Sequence, residues 1–133
     1  MKSKILILTV FLSLMFLNVK SYADSDFDKA MLKAKKNLKE AIEKSDETKI
    51  IKARGQFERI LQIKKDVWLV NYYLALSDYG LSTVGMVGND KDKIKKYTES
   101  GIDILNKSID ENPEFADSYV LMETLNFNRW QYE

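Results

Sequence analysis

Two carboxylates at one-turn spacing are the first residues of this chain that could do chemistry. Glu99 and Asp103 stand four apart, so on a helix they would share a face and could act as an acid and base pair. Such a pair works only where a pocket pulls its two pKa values apart, and nothing near it in the sequence suggests one. Gly88, Asn89, Asp90 and Asp92 make a second candidate, because glycine among acids can form a calcium loop. The alternating acids closed by a distal glutamate that such a loop needs are missing, so a turn followed by a helix cap is the better reading.

The composition excludes much other chemistry. Histidine and cysteine are both absent, which removes thiol nucleophiles, imidazole-based triads, disulfides and Cys/His zinc sites. No glycine-rich phosphate loop, nucleophile elbow or metal-ligand motif occurs, and no cofactor or metal is called for. Charge is nearly balanced, with 21 basic and 20 acidic side chains. Lys2, Lys4 and Lys20 lie in the first 23 residues, so the remainder carries 18 basic against 20 acidic, net −2. That balance removes the simple electrostatic case for nucleic acid or an anionic membrane as partner.

The N-terminus has the form of an export signal. Met1 to Lys4 give a basic head, Ile5 to Leu17 an apolar run of 13 residues, and Ser21, Tyr22 and Ala23 a peptidase-type site, small at Ser21 and Ala23, with cleavage after Ala23. As a helix the run would reach about 20 Å, against roughly 30 Å of hydrocarbon, so cleavage is expected rather than retention as an anchor. No cysteine follows for lipid attachment. Removing 23 of the 133 residues leaves 110, enough for one domain over 24–133 in a secreted or periplasmic protein without stable membrane insertion.

The rest of the chain reads as all-α. Phe27, Ala30, Met31, Ala34, Leu38, Ala41 and Ile42 recur at three and four residues, the period of one helix face. Lys29, Lys33, Lys35, Lys36 and Lys39 fall mostly between them as a solvated face. Similar patterns predict helices near 25–44, 47–64, 67–84, 91–111 and 114–132, with a turn at Ser45 to Thr48 and a loop over Gly85 to Asp92. Tight connections force neighbouring helices antiparallel. The third helix is apolar on two lines, Trp68, Tyr72, Ala75 and Tyr79 on one and Leu69, Tyr73, Leu76 and Gly80 on another, so it should sit between neighbours.

An internal repeat appears at an offset of 48. Ala53, Phe57, Ile60, Leu61 and Lys65 correspond to Gly101, Leu105, Ser108, Ile109 and Pro113: small, large, medium, aliphatic, then a turn residue. At these residues the chain resembles the tetratricopeptide repeat family, with Lys65 in place of the usual proline and Leu105 in place of the usual aromatic. The spacing of 48 exceeds that family's 34, and the extra residues fall between Ala75 and Gly101. The resemblance implies a short solenoid of helical hairpins like those of secreted repeat proteins of bacteria. It also implies that first helices line a binding groove, which places Leu69, Tyr72, Leu76, Tyr79, Val120 and Phe127 there. Packing between helices is the competing explanation for the same aromatic residues.

The last helix carries Met122, Leu125, Phe127, Trp130 and Tyr132 around much of its circumference. A terminal repeat needs a polar outer face, so Met122, Leu125, Trp130 and Tyr132 are read as a terminal interface. Either the chain is a fragment of a longer repeat protein or this helix pairs with a second copy or another protein. The leading functional expectation is a non-enzymatic module in the bacterial envelope that binds a protein or peptide. The alternatives are an exported carboxylate-dependent hydrolase acting on cell-wall glycans and a small-ligand binding protein with a closed apolar cavity.

Overall fold

The computed structural model describes residues 25–133, and the expected export signal lies outside the described residues. Among the described residues there are five α-helices and no strand: α1 over 25–43, α2 Glu47–Leu61, α3 Val67–Val87, α4 Lys91–Glu111 and α5 Ala116–Arg129. The all-α class read from helical periodicity is the class the chain adopts. None of these helices is long and apolar enough to cross a membrane.

Two helix-to-helix turns are built alike. After α1, Ser45 takes a left-handed conformation (φ 49°) and the Asp46 amide donates to the Ala41 carbonyl at 2.9 Å. After α3, Asn89 does the same (φ 53°) and the Asp90 amide donates to the Gly85 carbonyl at 2.9 Å. These bonds take up carbonyls that a helix end leaves without an internal partner. Each aspartate then caps the next helix, accepting from the Lys49 and Lys93 amides at 3.0 Å. Asp90 is thereby the turn-and-cap residue that its position suggested.

α3 packs against α2, α4 and α5, as its two apolar lines require. Phe57 of α2 stacks on Tyr73 at 5.3 Å between ring centroids. Small residues set the closest approaches. A Cβ on Gly80 would lie 3.0 Å from Cγ1 of Ile42 in α1, and one on Gly85 would lie 3.1 Å from the backbone nitrogen of Ile94 in α4. Gly85 is therefore not a loop residue. It sits inside α3, which runs on to Val87, and the loop shrinks to Gly88, Asn89 and Asp90.

The other ends lie within three residues of expectation, with α5 closing at Arg129 rather than at 132. α2 stops at Leu61, where the Ile63 and Lys64 amides tighten onto the Ile60 and Leu61 carbonyls at 2.9 and 3.1 Å, and the chain turns through left-handed Lys64 and Asp66. α5 begins at Ala116, two residues later than expected, after the turn through Pro113.

The repeat register read from sequence coincides with burial. Ala53, Phe57 and Ile60 of α2 and Gly101, Leu105 and Ser108 of α4 are all buried. The core has two parts. One joins Phe27, Met31, Ala34 and Leu38 of α1 to Ile50, Ala53 and Phe57 of α2 and to Val70 and Leu74 of α3. The other joins Ala75 of α3 to Ile102 and Leu105 of α4 and Leu121 and Leu125 of α5, and Leu76 packs against both.

Candidate functional site: a two-part groove beside the third helix

Leu76 lies half-buried on α3 with an open hollow on either side. Toward α5, Tyr72, Leu76, Tyr79, Val120, Leu121, Thr124 and Asp117 line a hollow of about 240 Å³. Toward α1, Lys35, Leu38, Lys39, Ile42, Glu43, Tyr73 and Leu76 line a second of about 410 Å³. Leu76 borders both, so the two hollows adjoin across its side chain and are treated together as a two-part groove.

Helix periodicity explains the lining. Tyr72, Leu76 and Tyr79 are spaced by four and three on α3, and Val120 and Thr124 by four on α5, so each set forms a line along its helix. Aromatic contacts hold the rings. Tyr72 meets Tyr73 and Phe115 edge-on, with centroids 5.1 and 5.0 Å away. Lys35 lays its Nζ over the Tyr73 ring at 4.8 Å from the centroid, a cation–π contact between two residues that line the larger hollow.

The two ends of the groove differ in charge. Lys35, Lys39 and Glu43 border the α1 side, where Lys39 Nζ stands 3.9 Å from Glu43 Oε1. Asp117 borders the α5 side and forms no ion pair with a described residue. Partial burial pushes the pKa of the Tyr72 hydroxyl up from its ordinary value, and the Asp117 carboxylate adds to that rise.

Of the six residues expected in the groove, Tyr72, Leu76, Tyr79 and Val120 meet there. Leu69 does not. It packs half-buried against the N-terminal part of the core, because it lies a full turn nearer the start of α3. Phe127 is 64% exposed and stands outside the lining. Sequence reasoning missed Lys35, Lys39 and Tyr73, since lysines between apolar positions on α1 read as a solvated face. Lys39 is exposed, but Lys35 is half-buried over its ring.

The expected terminal interface divides. Trp130 is 79% exposed, whereas Leu125 is fully buried and therefore cannot belong to such a surface. The reason is Gly101: a Cβ there would lie 3.2 Å from Leu125 Cδ2, so the missing side chain is the space that Leu125 fills. Met122 packs half-buried on the same part of the core. Tyr132 is half-buried, and its enclosed hydroxyl has no hydrogen-bond partner among the described residues.

The remaining polar clusters hold helices together. Asp78 is wholly buried and accepts from Arg54 Nε and Ser100 Oγ, each at 2.6 Å, which joins α2, α3 and α4. Burial works against the Arg54 charge, yet Asp78 and Glu58 together raise its pKa above the ordinary value. Ser82 and Thr98 share a hydrogen bond at 2.8 Å, and Asn128 Nδ2 donates to Ser82 Oγ at 3.2 Å, which joins α3, α4 and α5. Lys93 reaches both carboxylate oxygens of Glu47, tying the first turn of α4 to that of α2.

Glu99 and Asp103, the carboxylates with the spacing of an acid and base pair, are both exposed on α4. No group of three or more acidic, histidine or cysteine side chains among the described residues could hold a metal. No family model matches the chain, nor does any curated protein or solved structure.

Proposed function

We propose that the chain is an exported, non-enzymatic helical-repeat module that holds a peptide or a segment of a partner protein in the groove beside α3. The observation that carries the reading is that two largely apolar hollows adjoin at Leu76, bordered by α1, α3 and α5. Tyr72, Tyr73 and Tyr79 offer apolar area, with hydroxyls for hydrogen bonding, at little entropic cost on ordering. Both hollows are open, which suits a chain segment better than an enclosed small ligand.

The tetratricopeptide-like reading rests on the matched burial at the 48-residue offset and on the twin turns at Ser45–Asp46 and Asn89–Asp90. Export rests on the basic head, apolar run and small residues before Asp24. N-terminal sequencing of protein recovered outside the cytoplasm tests the export step, with Asp24 expected as the first residue.

A random peptide library selected against the exported chain tests the groove. Val120 is 67% exposed, so Val120→Glu should leave the fold intact while placing a charge in the smaller hollow. Selected peptides should lose binding to that variant by tenfold or more, about 1.4 kcal/mol. Peptides that bind parent and variant equally would place recognition elsewhere.

A further inference from the structure

The shape and charge of the groove narrow its occupant, on the reading that the groove binds peptide. Each hollow lies between two neighbouring helices, and the half-buried Leu76 divides them. Packed helices stand about 8–10 Å apart, so the centres of the two hollows are separated by a similar distance. An extended polyproline-type segment places residues three apart on the same face at about 9.3 Å. Its two intervening side chains point away and clear Leu76. A helix would span a similar distance with residues seven apart, but its side chains three and four along share that face. Those would land on Leu76, where there is no hollow.

Charge supplies the second constraint. The α1 end presents Lys35 and Lys39 against Glu43, and the α5 end presents Asp117 with no ion pair among the described residues. We infer that the occupant is an extended peptide segment with two large apolar side chains three residues apart, an acidic flank over α1 and a basic flank over α5. Leucine-sized side chains suit both hollows. The contact of Lys35 with the Tyr73 ring keeps one of the cations within the lining of the larger hollow.

Four fluorescein-labelled peptides test this with the chain as exported. Each carries Leu-Pro-Pro-Leu, flanked by two aspartates and two lysines in either order, by aspartates at both ends, or by lysines at both ends. Fluorescence anisotropy should rank one mixed-charge order first, by about two- to fivefold over both like-charged peptides, the range expected of exposed ion pairs. Asp117→Lys should move the preference to the doubly acidic peptide, and Lys39→Glu to the doubly basic one. Lys39 is exposed, so the second variant keeps the inference falsifiable should the first fail to fold.

Equal affinity for all four peptides, or variants that leave the ranking unchanged, would overturn the inference. So would the absence of measurable binding by all four. In each of those cases library peptides that still lose binding to Val120→Glu would leave the groove itself standing. Library peptides indifferent to Val120→Glu would remove the groove.

Discussion

Asp78 and Arg54 meet at 2.6 Å across the α2–α3 boundary, with the carboxylate fully enclosed and the guanidinium side chain 22% exposed. An ion pair so placed is better evidence for register than for stability, because desolvation offsets much of the attraction. Breaking it is another matter. Arg54→Met leaves a buried carboxylate held by Ser100 alone and should cost about 3 kcal/mol in urea unfolding. The double variant Arg54→Met with Asp78→Leu should recover most of that loss. A double variant no more stable than the single one would show that the pair contributes net stability.

The close approach at Gly101 gives a graded prediction. A Cβ there would meet Leu125 Cδ2 and Cδ1 at 3.2 and 3.3 Å and Asp78 Cβ at 3.4 Å. Gly101→Ala should be tolerated, because the end of Leu125 can give by a few tenths of an ångström and alanine favours a helix over glycine. Gly101→Leu must displace Leu125 and should destabilise by about 1–3 kcal/mol, as should Ala53→Leu at the matched position in α2. Thermal melting distinguishes these outcomes, and unchanged melting in both leucine variants would remove the repeat register.

Those two small residues were legible in the sequence because each sits at a fixed place in a repeated pattern. Gly85 was not, for an instructive reason. Beside Gly88 and Asn89 it reads as loop punctuation, yet its missing side chain lets Ile94 of α4 approach the backbone of α3. Glycine signals turns and close packing alike, and only the neighbour decides. Leu125 shows the same limit: α5 carries Leu121 and Leu125 on one line and Val120 and Phe127 on another, and periodicity alone does not say which line meets Gly101. The groove was legible where it depends on spacing along α3, at Tyr72, Leu76 and Tyr79. It was hidden where it depends on α1, since the register that brings Lys35 over Tyr73 is set by tertiary packing.

Tyr72 yields a pH dependence. Burial and the nearby Asp117 carboxylate raise its pKa above the ordinary 10.0. A raised folded-state value means that the stability contributed by the neutral hydroxyl is fully present below about pH 10 and is lost as pH rises through the folded-state pKa. Ultraviolet titration of the folded chain should show one late-ionising tyrosine fewer in Tyr72→Phe. Asp117→Asn should bring the Tyr72 ionisation to lower pH without abolishing the delay, because burial is the larger cause. A Tyr72 that ionises with the exposed tyrosines would contradict the partial burial of its side chain.

The two tryptophans should behave differently in solution. Trp68 meets the Phe115 ring at 5.1 Å between centroids, and its carbonyl accepts from Ser108 Oγ at 2.7 Å. Trp130 stands 79% exposed at the end of α5, beyond Phe127 at 64%. Iodide should therefore quench Trp130 strongly and Trp68 weakly, as read from the single-tryptophan variants Trp130→Phe and Trp68→Phe. Side chains that bury little area contribute little to the fold, so Phe127→Gln with Trp130→Gln should change unfolding by no more than about 0.5 kcal/mol. The same double variant tests what the apolar end of α5 does at high concentration. A weight-average mass that rises with concentration in the parent chain, but not in the variant, assigns association to this face. A parent chain that stays monomeric, with Trp130 still open to iodide, leaves the face to solvent and removes self-pairing through α5.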